Sequence, residues 1–225
     1  MHIDIITLLP NFWNNIIKTL PIIKKFLILK KNNIDIINLR NYGIKKGKKL
    51  CVDDYQYGGG HGMVIRLEPI YKCIKKLKKN NKYNNIIYLT PDSPIYNQNI
   101  AKELSKSNKI LFISGYFKGI DQRIRDYIIT NEFSLGNYII SNGDISTLIV
   151  IDSIIRLLPG ILGNIKSTYS DSFNKYYYDY PLYTRPYIYK NMKVPSILLS
   201  GNHSRILKWR KKQIKKKIET IKDTK

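Results

Sequence analysis

Three short turns in this chain follow apolar runs and offer the same kind of chemistry. They are Thr90-Pro91, Gly115-Tyr116-Phe117-Lys118-Gly119-Ile120-Asp121 and Ser134-Leu135-Gly136-Asn137-Tyr138. Glycine at such places lets backbone N–H and C=O groups come close to a ligand that a Cβ would hold away. The carboxyl ends of strands are also where open α/β sheets bind ligands. Taken singly, each turn is an ordinary loop. Three at successive strand ends point to one shared pocket. The familiar alternatives are missing. No G-x-x-x-x-G-K-[ST] run serves a triphosphate, and Tyr57-Gly58-Gly59-Gly60-His61-Gly62 departs from G-x-G-x-x-G at Met63. No G-x-S-x-G elbow supports a Ser-His-Asp triad. His2, His61 and His203 lack zinc spacing, so no metal site is expected from them.

The elements that must position these turns alternate in type. Residues 2–8 read as a strand leading into a helical pattern over 11–31 that Pro21 breaks. A second strand covers 35–39. Residues 40–62, ending in the glycine run, are expected to be loop. A helix over 67–79, a strand over 85–90, a helix over 97–106 and a strand over 109–114 follow, and Asp121 caps a short helix. Residues 138–141 read as a fifth strand and 144–158 as an amphipathic helix. This alternation predicts an α/β domain with a mainly parallel sheet over residues 1–160. Residues 161–177 are small and polar, a linker by composition. Residues 178–225 hold prolines, aromatics and a Lys-rich helical tail.

Composition bounds the partners. The 225 residues carry 39 Lys+Arg against 16 Asp+Glu, a formal charge of +23. With 43% hydrophobic and 12% aromatic residues, global disorder is excluded. Apolar runs are cut by charges such as Lys24, Lys25 and Asp152, so no membrane span is expected. The first residues, Met1-His2-Ile3-Asp4-Ile5, lack the basic leader of a secretory signal. Cys51 and Cys73 form no C-x-x-C pair, and a reducing cytoplasm is the expected setting. A coding bias toward Ile, Lys, Asn and Tyr would produce part of the lysine excess. A field of this strength still makes a polyanion, above all nucleic acid, the natural partner.

The glycine run with Met63, residues 116–123 (YFKGIDQR), and Ser134-Leu135-Gly136-Asn137-Tyr138 together carry a resemblance. So do residues 151–160 (IDSIIRLLPG), Asp171-Ser172-Phe173, Tyr183-Thr184-Arg185-Pro186 and Leu199-Ser200-Gly201-Asn202-His203. In this order, from residue 1 to about 213, the chain resembles the bacterial tRNA (guanine-N1-)-methyltransferases of the trefoil-knotted SPOUT class. The resemblance implies a deep trefoil knot in a domain over 1–160, a flexible linker over 161–177, and a small helical tRNA-binding domain over 178–225. It implies a cytoplasmic homodimer with shared active sites. The implied reaction moves a methyl group from S-adenosyl-L-methionine to N1 of the guanine 3′ of the anticodon, position 37.

The same resemblance implies roles for single residues. Asp171 aligns with the general base and Arg156 with the cation that stabilises charge on O6. The implied cofactor pocket is Tyr88, Thr90, Pro91, Gly115, Gly119, Leu135, Gly136, Asn137, Tyr138, Ile139, Ile140 and Gly143. The implied tRNA contacts are Ser167, Arg185, Asn202, His203, Trp209 and Arg210, with the basic run 208–217 tracking phosphates. Three positions depart from the family. Lys118 stands where a glutamate tied to Mg2+ dependence is expected, Phe117 replaces a tyrosine and Asn137 an aspartate. The Lys118 exchange makes a Mg2+ requirement doubtful: either metal dependence is lost or catalysis is compromised. The chain also stops soon after the basic helix, where further helices are usual, and a weaker or broader tRNA selection is expected. Two rival readings are a related knotted ribosomal-RNA methyltransferase and a non-catalytic RNA-binding paralogue.

Overall fold

The computed structural model describes residues 1–29, 31–162 and 178–222. Its contacts divide the chain into two compact units, Met1–Leu162 and Gly163–Lys225. The first unit is built on a five-stranded sheet of β1 (His2–Thr7), β2 (Asn33–Asn38), β7 (Asn85–Leu89), β8 (Lys109–Ile113) and β9 (Asn131–Phe133). Their order is β2-β1-β8-β7-β9, and every pairing is parallel.

Strand alternation sends apolar side chains to both faces, as a sheet covered on two sides requires. In β8, Ile110 and Phe112 enter one core while Leu111 and Ile113 enter the other. The first core is closed by α1 (Pro10–Thr19), α2 (Pro21–Ile28), α4 (Gln98–Leu104) and α6 (Gly143–Ile155), which supply Trp13, Phe26, Leu104 and Ile151. The second is closed by α3 (Leu67–Asn80) and α5 (Gln122–Tyr127), through Ile70, Cys73, Ile74 and Ile124. Pro21 ends the first helical pattern by starting a new helix, where its missing N–H costs nothing. Asp121 caps α5 by accepting from the Arg123 amide at 3.0 Å.

Three expectations are corrected. Residues 40–62 are folded rather than loop throughout. β3 (Ile44–Lys46) pairs antiparallel with β4 (Lys49–Cys51), and β5 (Asp53–Tyr55) with β6 (Met63–Ile65). The glycines occupy only the tip of the second hairpin, where Gly58, Gly59, Gly60 and Gly62 have positive φ. Residues 138–141 form no strand; the fifth strand is β9, whose polar Asn131 and Glu132 hid it. Last, α6 is not amphipathic. It buries Val150, Ile151, Ile154 and Ile155 yet leaves Ile145 and Ile149 exposed, so it is apolar around its circumference.

The second unit holds a short hairpin of β10 (Ile188–Tyr189) and β11 (Met192–Lys193), followed by the long α7 (His203–Lys222). Among the described residues, no helix is long and apolar enough to cross a membrane.

Candidate functional site

The loops that leave β7, β8 and β9 surround a cavity of ≈470 Å³ at the carboxyl edge of the sheet. Every residue of the expected pocket lines it except Asn137. Tyr116, Phe117, Lys118, Phe133, Ser141, Asn142 and Ser146 join them. Phe133, Ser141, Asn142 and Ser146 were not expected: the first three flank the expected turn and Gly143 without being part of them, and Ser146 lies a turn into α6.

Glycine permits two close approaches here. The Gly143 amide donates to the Gly115 carbonyl at 2.8 Å, and a Cβ on Gly143 would lie 2.5 Å from the Gly115 nitrogen. A Cβ on Gly115 would in turn meet the Tyr88 ring at 3.1 Å. These contacts draw the start of α6 onto the end of β8. The junction is locked from behind. Asn142 accepts from the Asp144 and Ile145 amides, closing the first turn of α6. The buried Asp144 carboxylate accepts from the Trp13 indole at 2.7 Å, and the Ser114 and Thr147 hydroxyls lie 3.2 Å apart. Phe117 carries a φ of 57°, an uncommon conformation for a bulky residue, held where the cavity needs the loop to turn.

The opposite wall is braced by charge. Arg125 donates to Glu132 twice at 2.7 Å and to Asp92 at 2.9 Å, and its guanidinium lies 5.8 Å from the centre of the Tyr88 ring. The Thr90 hydroxyl and Arg125 hold the Asp92 carboxyl below its ordinary range. Burial pushes the Tyr88 phenol up to about 12, so it stays a neutral donor or acceptor at the cavity wall.

Arg156 closes the far end of α6. Its amide donates to the Asp152 carbonyl at 3.2 Å, and its guanidinium partly offsets the burial that raises the Asp152 carboxyl. It does not line the cavity. At ~1.5 Å per residue, α6 separates it from Gly143 by roughly 20 Å, so the first unit of one chain does not join Arg156 to the pocket. Asp171 and Ser167 lie outside the described residues.

The sequence model of the tRNA (Guanine-1)-methyltransferase TrmD family matches residues 1–223. This chain belongs to that family. A tRNA (guanine-N(1)-)-methyltransferase from Christiangramia forsetii is 45% identical over 213 residues, covering 95% of this chain and 93% of its own. The enzyme of that name from Oceanobacillus iheyensis is 40% identical, over 95% of this chain and 86% of its own. Among solved structures, the tRNA (m1G37) methyltransferase from Aquifex aeolicus superposes with a TM-score of 0.78 at 33% identity, covering 100% of this chain and 92% of that one.

Within the second unit, the residues expected to meet tRNA have distinct settings. Arg185 is exposed. Asn202 caps α7 by accepting from the Arg205 amide at 3.0 Å, and His203, the first residue of α7, is exposed. Arg210 lies 4.4 Å over the Tyr180 ring, and Trp209 is half-buried with its ring 6.4 Å from that of Tyr183. These two thus make local packing contacts within the second unit. Lys208, Lys211, Lys212, Lys215, Lys216 and Lys217 are exposed along α7.

Proposed function

We propose that this protein methylates N1 of the guanine 3′ of the anticodon in tRNA, using S-adenosylmethionine held in the cavity at the carboxyl edge of the sheet. The observation that carries the reading is the Gly143–Gly115 junction within a family match that spans residues 1–223. It creates a cradle of bare backbone beside an apolar wall of Leu135, Ile139 and Ile140, which suits a purine with a polar ribose. When bound, the sulfonium supplies an already activated methyl group, so the protein needs no covalent intermediate.

The remaining work falls to two side chains. Guanine N1 keeps its proton at neutral pH and is a poor nucleophile until that proton leaves. Asp171 takes the proton, and Arg156 stabilises the negative charge that spreads to O6. The base leaves its stack to react. Because Arg156 stands far from its own chain's cavity, a second copy supplies it, which makes the working unit a homodimer. Exposed Tyr138, Ile139, Ile140, Ile145 and Ile149 form the apolar surface that such a pairing would cover. The backbone passing at Gly115 and Gly143 is where we place the crossing of a trefoil knot. The place of action is the cytoplasm.

Lys118 lines the cavity and brings positive charge where a metal-linked glutamate is the family's usual residue. Turnover is therefore independent of Mg2+. The test is transfer of labelled methyl to an unmodified transcript in the presence of a chelator. Incorporation should occur with guanine 3′ of the anticodon and vanish when adenine replaces it. Equal incorporation into both transcripts would refute the assignment, and loss with the chelator alone would refute the role given to Lys118.

A further inference from the structure

At the amino edge of the sheet, opposite the cavity, strand pairing gathers three potential ligands. His2 and Asp4 are two residues apart on β1 and share a face; Asp35 on β2 stands opposite Asp4 in the parallel register. His2 Nε2 lies 2.8 Å from Asp35 Oδ2 and 3.0 Å from Asp4 Oδ1. All three ligand atoms fall within 4.8 Å of one another.

Asp4 is the decisive member. Its side chain is 2% exposed, and Oδ1 receives no hydrogen bond although His2 is near. One ring nitrogen carries at most one proton, and the hydrogen-bond contact that nitrogen makes is with Asp35. A buried carboxylate oxygen without a donor is costly, and its aim toward the other two ligand atoms marks a place for a cation. We propose that His2, Asp4 and Asp35 bind a divalent first-row transition ion of the zinc type, clamping β1 to β2. An imidazole with two carboxylates suits zinc and its neighbours, whereas Mg2+ and Ca2+ favour all-oxygen sites.

An outer shell fixes the carboxylates. Asp4 Oδ2 accepts from the Tyr83 hydroxyl and lies 3.6 Å from Lys109 Nζ, while Asp35 Oδ1 accepts from Asn33 at 2.9 Å. The Lys109 ammonium is a cation beside the buried carboxylate, and the Met1 amine, one residue from His2, donates to Asn32 at 2.8 Å. They hold affinity below that of a purely acidic site. The ion contributes stability and takes no part in methyl transfer.

The test uses the untagged full chain beside its His2→Gln and Asp35→Asn variants. Both side chains are partly exposed, at 32% and 54%, so these changes leave the fold intact. After equilibration with zinc chloride and dialysis, elemental analysis should find about one more zinc per chain in the wild type than in either variant. Excess zinc should raise the wild-type Tm by on the order of 3 °C and leave the variants unmoved. Zinc content that is the same in all three proteins overturns the site, whether the common value is zero or not. A Tm response shared by the variants overturns it equally.

Discussion

Arg156 and Asp171 divide the proposed chemistry between a rigid place and a segment whose residues are small and polar. Arg156 ends a helix whose start is bonded to β8. Its replacement by Ala should lower kcat on the order of 10²-fold, the loss expected when one group aimed at developing charge is removed, with donor binding unchanged in calorimetry. Asp171→Ala should bind tRNA as tightly as wild type and fail in single-turnover methyl transfer. A near-normal single-turnover rate would remove it as the base. Cys73 takes no part. Burial pushes the Cys73 thiol up to about 12, the range of an inert buried thiol.

At the scale of elements, the pocket depends on two braces, α6 against β8 and Arg125 across Asp92, Glu132 and Tyr88. The second is sensitive to acid. The Asp92 carboxyl is depressed in the folded state by the Thr90 hydroxyl first and by Arg125 next. Its contribution is present above the unfolded value of 3.8 and lost as pH falls through the lower folded value. Thermal unfolding followed from pH 5 downward should steepen below pH ~4, and Asp92→Asn should flatten that fall. A wild-type profile unchanged by Asp92→Asn would show that the brace carries no stability. Much of this frame was legible in the sequence, because apolar runs ending at Thr90 and Gly115 mark buried strands whose following turns line the cavity. The hairpins within 40–65 were not, since strands of three residues give too little alternation to read. Nor was β9, where the Glu132 that hides the strand is the partner of Arg125. Asn142 and Ser146 reach the cavity only because α6 is docked on β8, a tertiary fact with no local signal. The gathering of His2 with Asp4 and Asp35 likewise needs the β1–β2 register, which histidine spacing cannot reveal.

For the whole molecule, the proposed reading assigns the +23 charge to the substrate and the exposed apolar residues around Ile139 and Ile145 to a second copy. If the exposed lysines of α7 meet phosphates, as the proposed function requires, tRNA affinity should fall steeply between 50 and 200 mM salt, on the order of 10³-fold for six neutralised phosphates. Filter binding across that range would check it, and a flat salt profile would contradict electrostatic capture. The central claim concerns which atom receives the methyl group. Nucleoside mass spectrometry of an unmodified tRNA transcript, incubated with the protein and S-adenosylmethionine, reads that atom directly. 1-Methylguanosine at the guanine 3′ of the anticodon is the expected product, absent with Asp171→Ala. A methyl group on a ribose hydroxyl, on another ring position, or on no nucleoside at all would contradict the account.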